Sequence, residues 1–118
     1  MNSGIKLAVL RKRESFLAVA KNGRKWVAPG LILQAGATHN KETPLNYGLT
    51  ASSKVGPAVT RNRARRRLRA LVMGILPRHA LPGRDYVVIA RAATITRDFP
   101  DLQQDLMTAL KKLGAWRD

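Results

Sequence analysis

Cysteine is absent from the 118 residues, which rules out a disulfide framework, a thiol nucleophile and Cys-ligated zinc. The absence fits a reducing compartment, and a cytoplasmic location is expected. No apolar run approaches the roughly 18 residues of a membrane-spanning helix, so no membrane partner is expected. The N-terminus, M-N-S-G-I-K-L-A-V-L, is basic downstream of its short apolar part instead of upstream, unlike a secretory leader. Aromatic residues make up only 5%, so any stacking has to come from a few rings. Acidic residues are the decisive shortage: 7 Asp+Glu stand against 22 Lys+Arg, a formal net charge of +15. That imbalance calls for a polyanionic partner and for binding that weakens steeply with salt.

The same shortages thin the catalytic options. His39 and His79 fall in different predicted loops, and no catalytic constellation is assigned to either. Glu14, Glu42 and Asp85 lack metal-site spacing, and Asp98 and Asp101 read as charges at a helix N-terminus. Gly48 and Gly56 are isolated, and G-x-x-x-x-G-K does not occur, so nucleotide binding of that kind is not expected. No catalytic residue and no metal site is assigned to the protein itself.

What is present begins with a stretch from Lys54 to Met73, K-V-G-P-A-V-T-R-N-R-A-R-R-R-L-R-A-L-V-M. It packs Arg61, Arg63, Arg65, Arg66, Arg67 and Arg69 into nine residues, and no Asp or Glu occurs between Thr43 and Arg84. At about 100° per residue, Ala64, Leu68, Leu71, Val72 and Ile75 share an arc roughly 100° wide, enough to dock a helix on a core. The arginines and Asn62 fan round the rest, with Arg61 at the border of the stripe. Like charges at helical spacing repel, and a polyanion relieves that repulsion. Arginine also suits phosphate, which its planar fork grips bidentately. The pattern reads as a nucleic-acid face.

The rest of the chain, at 45% hydrophobic, is long enough for a modest core, and residues 1–118 read as a single domain. Residues 1–13 read as an extended basic arm. Glu14 to Asn22 is a short helix closed by Gly23, with Phe16, Val19 and Ala20 on one face. Leu31 to Ala35 and Tyr47 to Ser52 are expected to pair as an antiparallel hairpin with a long loop. Pro77 to Gly83 reads as a loop after the arginine helix. Tyr86-Val87-Val88-Ile89-Ala90 reads as a strand buried on both faces. Leu102, Leu106, Ala109, Leu110 and Leu113 form the stripe of a last helix ended by Gly114. The expected fold is α+β, a two-layer α/β sandwich of order α-β-β-α-β-α, its small, mostly antiparallel, three-stranded sheet covered on one face by the two amphipathic helices.

At Lys54, Gly56, Ala58, Val59, Arg61, Asn62, Arg63, Arg65, Arg66 and Arg69 the sequence resembles the protein subunit of bacterial ribonuclease P, whose motif runs K-x-G-x-A-V-x-R-N-R-x-[KR]-R-x-x-R. Phe16, Val19 and Gly23 match part of that family's first-helix signature, F-x-x-V-F-x-x-G. Three departures stand out: Ser53 where a lysine pair often precedes the glycine, Ala20 in place of the second aromatic, and Gln34 where some members carry a strand tyrosine.

The resemblance implies a ribonucleoprotein endoribonuclease that removes the 5′ leader of precursor tRNA, with Mg²⁺-dependent hydrolysis performed by the RNA partner and no protein site assigned to the metal. It implies that Lys54, Arg61, Asn62, Arg63, Arg65, Arg66, Arg67 and Arg69 contact the ribonuclease P RNA. A cleft between the first helix and the sheet would take the leader, and Lys12, Arg13, Phe16, Gln34, Thr50, Ser52 and Arg91 are its candidates. It further implies a left-handed βαβ crossover across the basic helix, where general rules favour the right hand, and a monomer within the complex. The competing readings are a small ribosomal or other structural RNA-binding protein, a DNA-binding protein using the same helix in a major groove, and a stand-alone nuclease.

Overall fold

The computed structural model describes residues 7–36 and 45–118. Its elements are β1 (Leu7–Val9), α1 (Arg13–Asn22), β2 (Arg24–Val27), β3 (Leu31–Ala35), β4 (Leu45–Thr50), α2 (Ala58–His79), β5 (Asp85–Ala90), α3 (Ala93–Thr96) and α4 (Phe99–Lys112). The α+β class and every predicted helix and strand are present, with β1, β2 and α3 in addition. The sheet has five strands, ordered β1-β4-β5-β3-β2. β1 and β5 run parallel to β4, while β3 is antiparallel to both β5 and β2, so the sheet is evenly mixed.

The expected hairpin of β3 and β4 is therefore not formed, because β5 lies between them. The most continuously apolar strand takes the centre, where both of its edges are hydrogen-bonded. The expected N-terminal arm is in part a strand, since Leu7–Val9 pairs with Leu45–Tyr47. Residues 1–6 and the loop at 37–44, with His39 and Glu42, lie outside the described residues.

One face of the sheet carries the core. Leu31 and Leu33 of β3, Tyr86 and Val88 of β5, and Leu45 and Tyr47 of β4 join the stripes of α2 and α4 in one buried cluster. The predicted stripe residues Ala64, Leu68, Leu71, Val72 and Ile75 of α2, and Leu102, Leu106, Ala109 and Leu110 of α4, are all buried. Asp105, a buried carboxylate of α4, accepts from the Gly30 N–H at 2.9 Å and from Arg97 Nε at 2.7 Å. It ties the β2–β3 turn to the start of α4.

α2 extends three residues beyond the predicted stop, through Pro77 to His79. Proline removes one helical bond, to the carbonyl four residues back. That residue, Met73, is 47% exposed. Arg117 holds the helix end: its guanidinium donates to the Ala80 carbonyl at 2.8 Å and to that of Pro77. Trp116, whose role the sequence leaves open, stacks on His79 with ring centroids 4.2 Å apart.

α1 lies on the opposite face. Its Val19 is buried, but Ala20, expected on the same face, is exposed. Phe16 lies directly on Gly48 of β4, where an added Cβ would stand 2.5 Å from the ring's Cζ. Only a residue without a side chain allows that approach.

Two outcomes follow from this packing. Gly48→Val is expected to lift α1 off β4 and cost about 1–3 kcal/mol, read as a lowered urea midpoint with the core helices intact by circular dichroism. Tyr86, fully buried, donates to the Leu81 carbonyl at 2.7 Å, and burial pushes its pKa from 10.0 up to about 12 against the opposing pull of Arg84. Stability from the neutral phenol is thus whole below pH 10 and lost as pH rises toward 12. Tyr86→Phe is expected to cost about 1 kcal/mol at neutral pH and to flatten that part of the alkaline decline, as melts across this range would show.

Candidate nucleic-acid interface

α2 brings the arginines to the surface because its stripe faces the sheet and everything else must face out. Twenty-two residues at 1.5 Å each make a rod of about 33 Å. Asn62, Arg63, Arg66 and Arg69 are exposed, and Arg61, Arg65 and Arg67 are half-buried. Among the described residues, the side chains of Arg63, Arg66 and Arg69 make no hydrogen bond or ion pair. Two of the described carboxylates are engaged elsewhere: Asp105 holds Arg97, and Asp85 accepts from Asn46 at 2.9 Å. Lys54, exposed in the turn before α2, adds a further positive charge at its N-terminal end.

The remaining arginines are partly committed. Arg65 donates to Asn62 Oδ1 at 3.0 Å, which fixes both side chains along one ridge. Arg67 donates to the carbonyls of Thr94 at 2.5 Å and Ile95 at 2.9 Å, bracing α2 against α3. Its role is structural at least in part. Arg61 buries its Nε without a protein acceptor.

The second candidate set is spread over the other face, and strand register shows how. Thr50 is aligned with Ile89, Ile89 with Ile32, and Ile32 with Val27, forming one row across four strands. The next row is Gly48, Val87, Gln34 and Lys25. Phe16 covers the second row at Gly48, so α1 leaves the first row open: Thr50, Ile89 and Ile32 are half-buried and Val27 is 50% exposed. β5 is consequently buried on both faces only as far as Val87, and Ile89 corrects the expectation of full burial. Lys12 and Arg13 are exposed at the N-terminus of α1, one turn before Phe16.

Ser52 and Arg91 stand just past the ends of β4 and β5. The Ser52 hydroxyl accepts from the Lys54 N–H at 3.3 Å, and the Arg91 guanidinium donates to the Ala28 carbonyl at 2.6 Å. The structure thus brings Phe16, Gln34 and Thr50 to one face, with Lys12 and Arg13 at the start of α1. Val27, Ile32 and Ile89 were not among those candidates. Nothing in their local pattern separates them from core residues; only sheet order and the placement of α1 leave them uncovered.

The chemistry available here is that of a binding surface. His79 is spent on Trp116 and on the Arg117 carbonyl, 3.1 Å from its Nδ1. Among the described residues no three His, Cys, Asp or Glu side chains converge as a metal site would require, and no helix is long and apolar enough to cross a membrane.

Comparison with known proteins gives this geometry its family. Residues 6–114 match the family model described as Ribonuclease P. The ribonuclease P protein component of Paramagnetospirillum magneticum is 53% identical over 109 residues, covering 90% of this chain and 82% of that one. Its counterpart in Erythrobacter litoralis is 42% identical, covering 91% and 86%. A solved structure of the Staphylococcus aureus RNase P protein superposes with a TM-score of 0.74 at 25% identity, covering 92% of this chain and 97% of that one. The RNase P protein of Thermotoga maritima shares the fold, with a TM-score of 0.71 over 90% and 94%. With the arginine motif on an exposed helix and nearly the whole length aligned, the chain belongs to the bacterial ribonuclease P protein family, whose members are the protein subunit of that ribonucleoprotein.

Proposed function

We propose that the arginine face of α2 binds the catalytic RNA of ribonuclease P, and that the trough between α1 and the open sheet face holds the single-stranded 5′ leader of precursor tRNA. The observation that carries this reading is the presence on one helix of exposed arginines with no partner among the described residues. Folded RNA is recognised through backbone and shape, and guanidinium groups fixed by a helix suit closely spaced phosphates. Arg65 held to Asn62 and Arg67 braced on α3 lose less freedom on binding than arginines on loose chain would.

The trough suits an unpaired strand. Its apolar row of Val27, Ile32 and Ile89 offers contact to bases and riboses, while Lys12, Arg13 and Arg91 supply charge for phosphates. Among the described residues Phe16 is the one ring on this side, and it packs on Gly48. Gln34 and Thr50 supply hydrogen-bonding groups between these. Two RNAs can therefore be held on adjoining surfaces of one small cation, which offsets their mutual repulsion. Mg²⁺ would supply Lewis acidity to the ribonucleoprotein. No site on the described side chains is assigned to it, and the protein's part is binding and charge neutralisation. The complex forms in the cytoplasm with one copy of the protein.

The direct test is reconstitution. Purified protein added to ribonuclease P RNA at low Mg²⁺ is expected to accelerate leader release from precursor tRNA, with no cleavage by protein alone. Failure to accelerate would overturn the proposal. Arg63→Ala with Arg66→Ala is expected to weaken binding to the RNA and to reduce the slope of log K against log salt by up to about two, with the melt unchanged. Arg67→Ala is expected to behave oppositely, costing about 1–3 kcal/mol of stability through lost charged hydrogen bonds while changing the salt slope less.

A further inference from the structure

The two proposed RNA surfaces meet at a notch in the sheet edge. β1 stops at Val9, opposite Tyr47, and the last bond on that edge runs from the Leu10 N–H to the Tyr47 carbonyl at 2.7 Å. β4 continues to Thr50. Backbone groups return to the same strand edge every second residue, so Leu49, like Tyr47, turns its N–H and C=O to that side. No strand lies beside it there among the described residues. A cavity of about 160 Å³ opens at this point, lined by Val9, Leu10, Leu49, Phe16, Arg65 and Arg69 among others. Arg65 Nη2 also approaches the Ala51 carbonyl at 3.5 Å, two residues further along the same edge.

Each wall has the chemistry of one part of a nucleotide. Leu49 offers a donor and an acceptor side by side, Phe16 an aromatic edge, Val9 and Leu10 apolar cover, and Arg65 and Arg69 two guanidinium groups at the rim. The volume equals about five waters at roughly 30 Å³ each, well under the roughly 300–1,000 Å³ of sites for larger ligands. It admits one base and not two stacked ones. Unpaired RNA bases are read by hydrogen bonds to their edges.

We propose that this notch binds one unpaired RNA nucleotide, its base edge against the Leu49 backbone and its phosphate on Arg65 and Arg69. The assignment rests on the RNA-binding reading above and deepens it. The nucleotide can come from the leader or from a splayed position of the catalytic RNA, and the experiment separates these sources.

Val9 is 48% exposed, so Val9→Trp can fill the notch from its mouth without removing a buried side chain or a charge. Binding of the full chain to a labelled hexa-adenylate is compared with binding to the same oligonucleotide with abasic riboses. The wild type is expected to prefer the intact strand by about tenfold, and Val9→Trp to erase most of that preference with an unchanged salt slope. An undiminished preference in Val9→Trp would overturn the notch while leaving the RNA-binding reading intact. Absence of any salt-dependent binding in either protein would overturn both.

Should Val9→Trp fail to fold, the wild-type amide resonance of Leu49 decides. It is expected to shift with the intact hexamer and not with the abasic one, and no difference between the two sinks the proposal. Precursor tRNAs with a single abasic ribose walked along the leader, and ribonuclease P RNA without substrate, then locate the source. Insensitivity to Val9→Trp confined to one abasic leader position assigns the nucleotide to the leader, and weaker binding of Val9→Trp to the RNA alone assigns it there. Wild-type behaviour in both arms overturns the assignment.

Discussion

The structure depends on one compromise within α2. Six guanidinium groups crowd into nine residues of the helix and repel one another, yet the helix is held against the sheet by its buried stripe. Ala64, Leu68, Leu71, Val72 and Leu76 lie in the same buried cluster as Tyr86, Val88 and Leu33. Burying a large aliphatic side chain is worth about 1.5–3 kcal/mol, whereas a like-charge pair at helical spacing costs only about 0.2–0.5 kcal/mol. Packing wins by a wide margin, and the repulsion remains as a standing demand for anions.

That margin explains where the arginines divide. Those nearest the body are tied to protein acceptors: Arg67 to α3 and Arg65 to Asn62 and the end of β4. Those on the crest, Arg63, Arg66 and Arg69, have no described protein partner. A helix braced on its flanks and bare on its crest presents its charges outward. The small number of acids serves the same end, since Asp105 is buried in a structural network with Gly30 and Arg97, out of reach of that crest.

The sheet order makes a small fold two-sided. With β5 at the centre, α2 and α4 cover one face and α1 takes part of the other, leaving a row from Thr50 to Val27 open beside it. β1 is too short to cover the full length of β4, and the uncovered end falls between the two faces. Gly48 is the pivot of this arrangement: Phe16 rests on its backbone, which sets how far α1 can stand from the edge.

Local pattern was enough for α1, α2 and α4, for the stripe that buries α2 and α4, and for the family, because each is written in nearest-neighbour spacing or in a gap-free motif. It was enough for the crest arginines as well, since an angle of about 100° per residue fixes which side chains oppose the stripe. Strand pairing was another matter: β3 and β4 follow each other in the chain, but β5, arriving after α2, separates them. Pairing partners distant in sequence leave no mark on local spacing, so the hairpin expectation failed and β1 and β2 went unseen. For the same reason only the folded chain decides that Ile89 is uncovered, that Arg67 is a brace, and that Leu49 faces an empty edge. Each depends on which distant segment happens to lie alongside, and that is settled by the burial of the whole core.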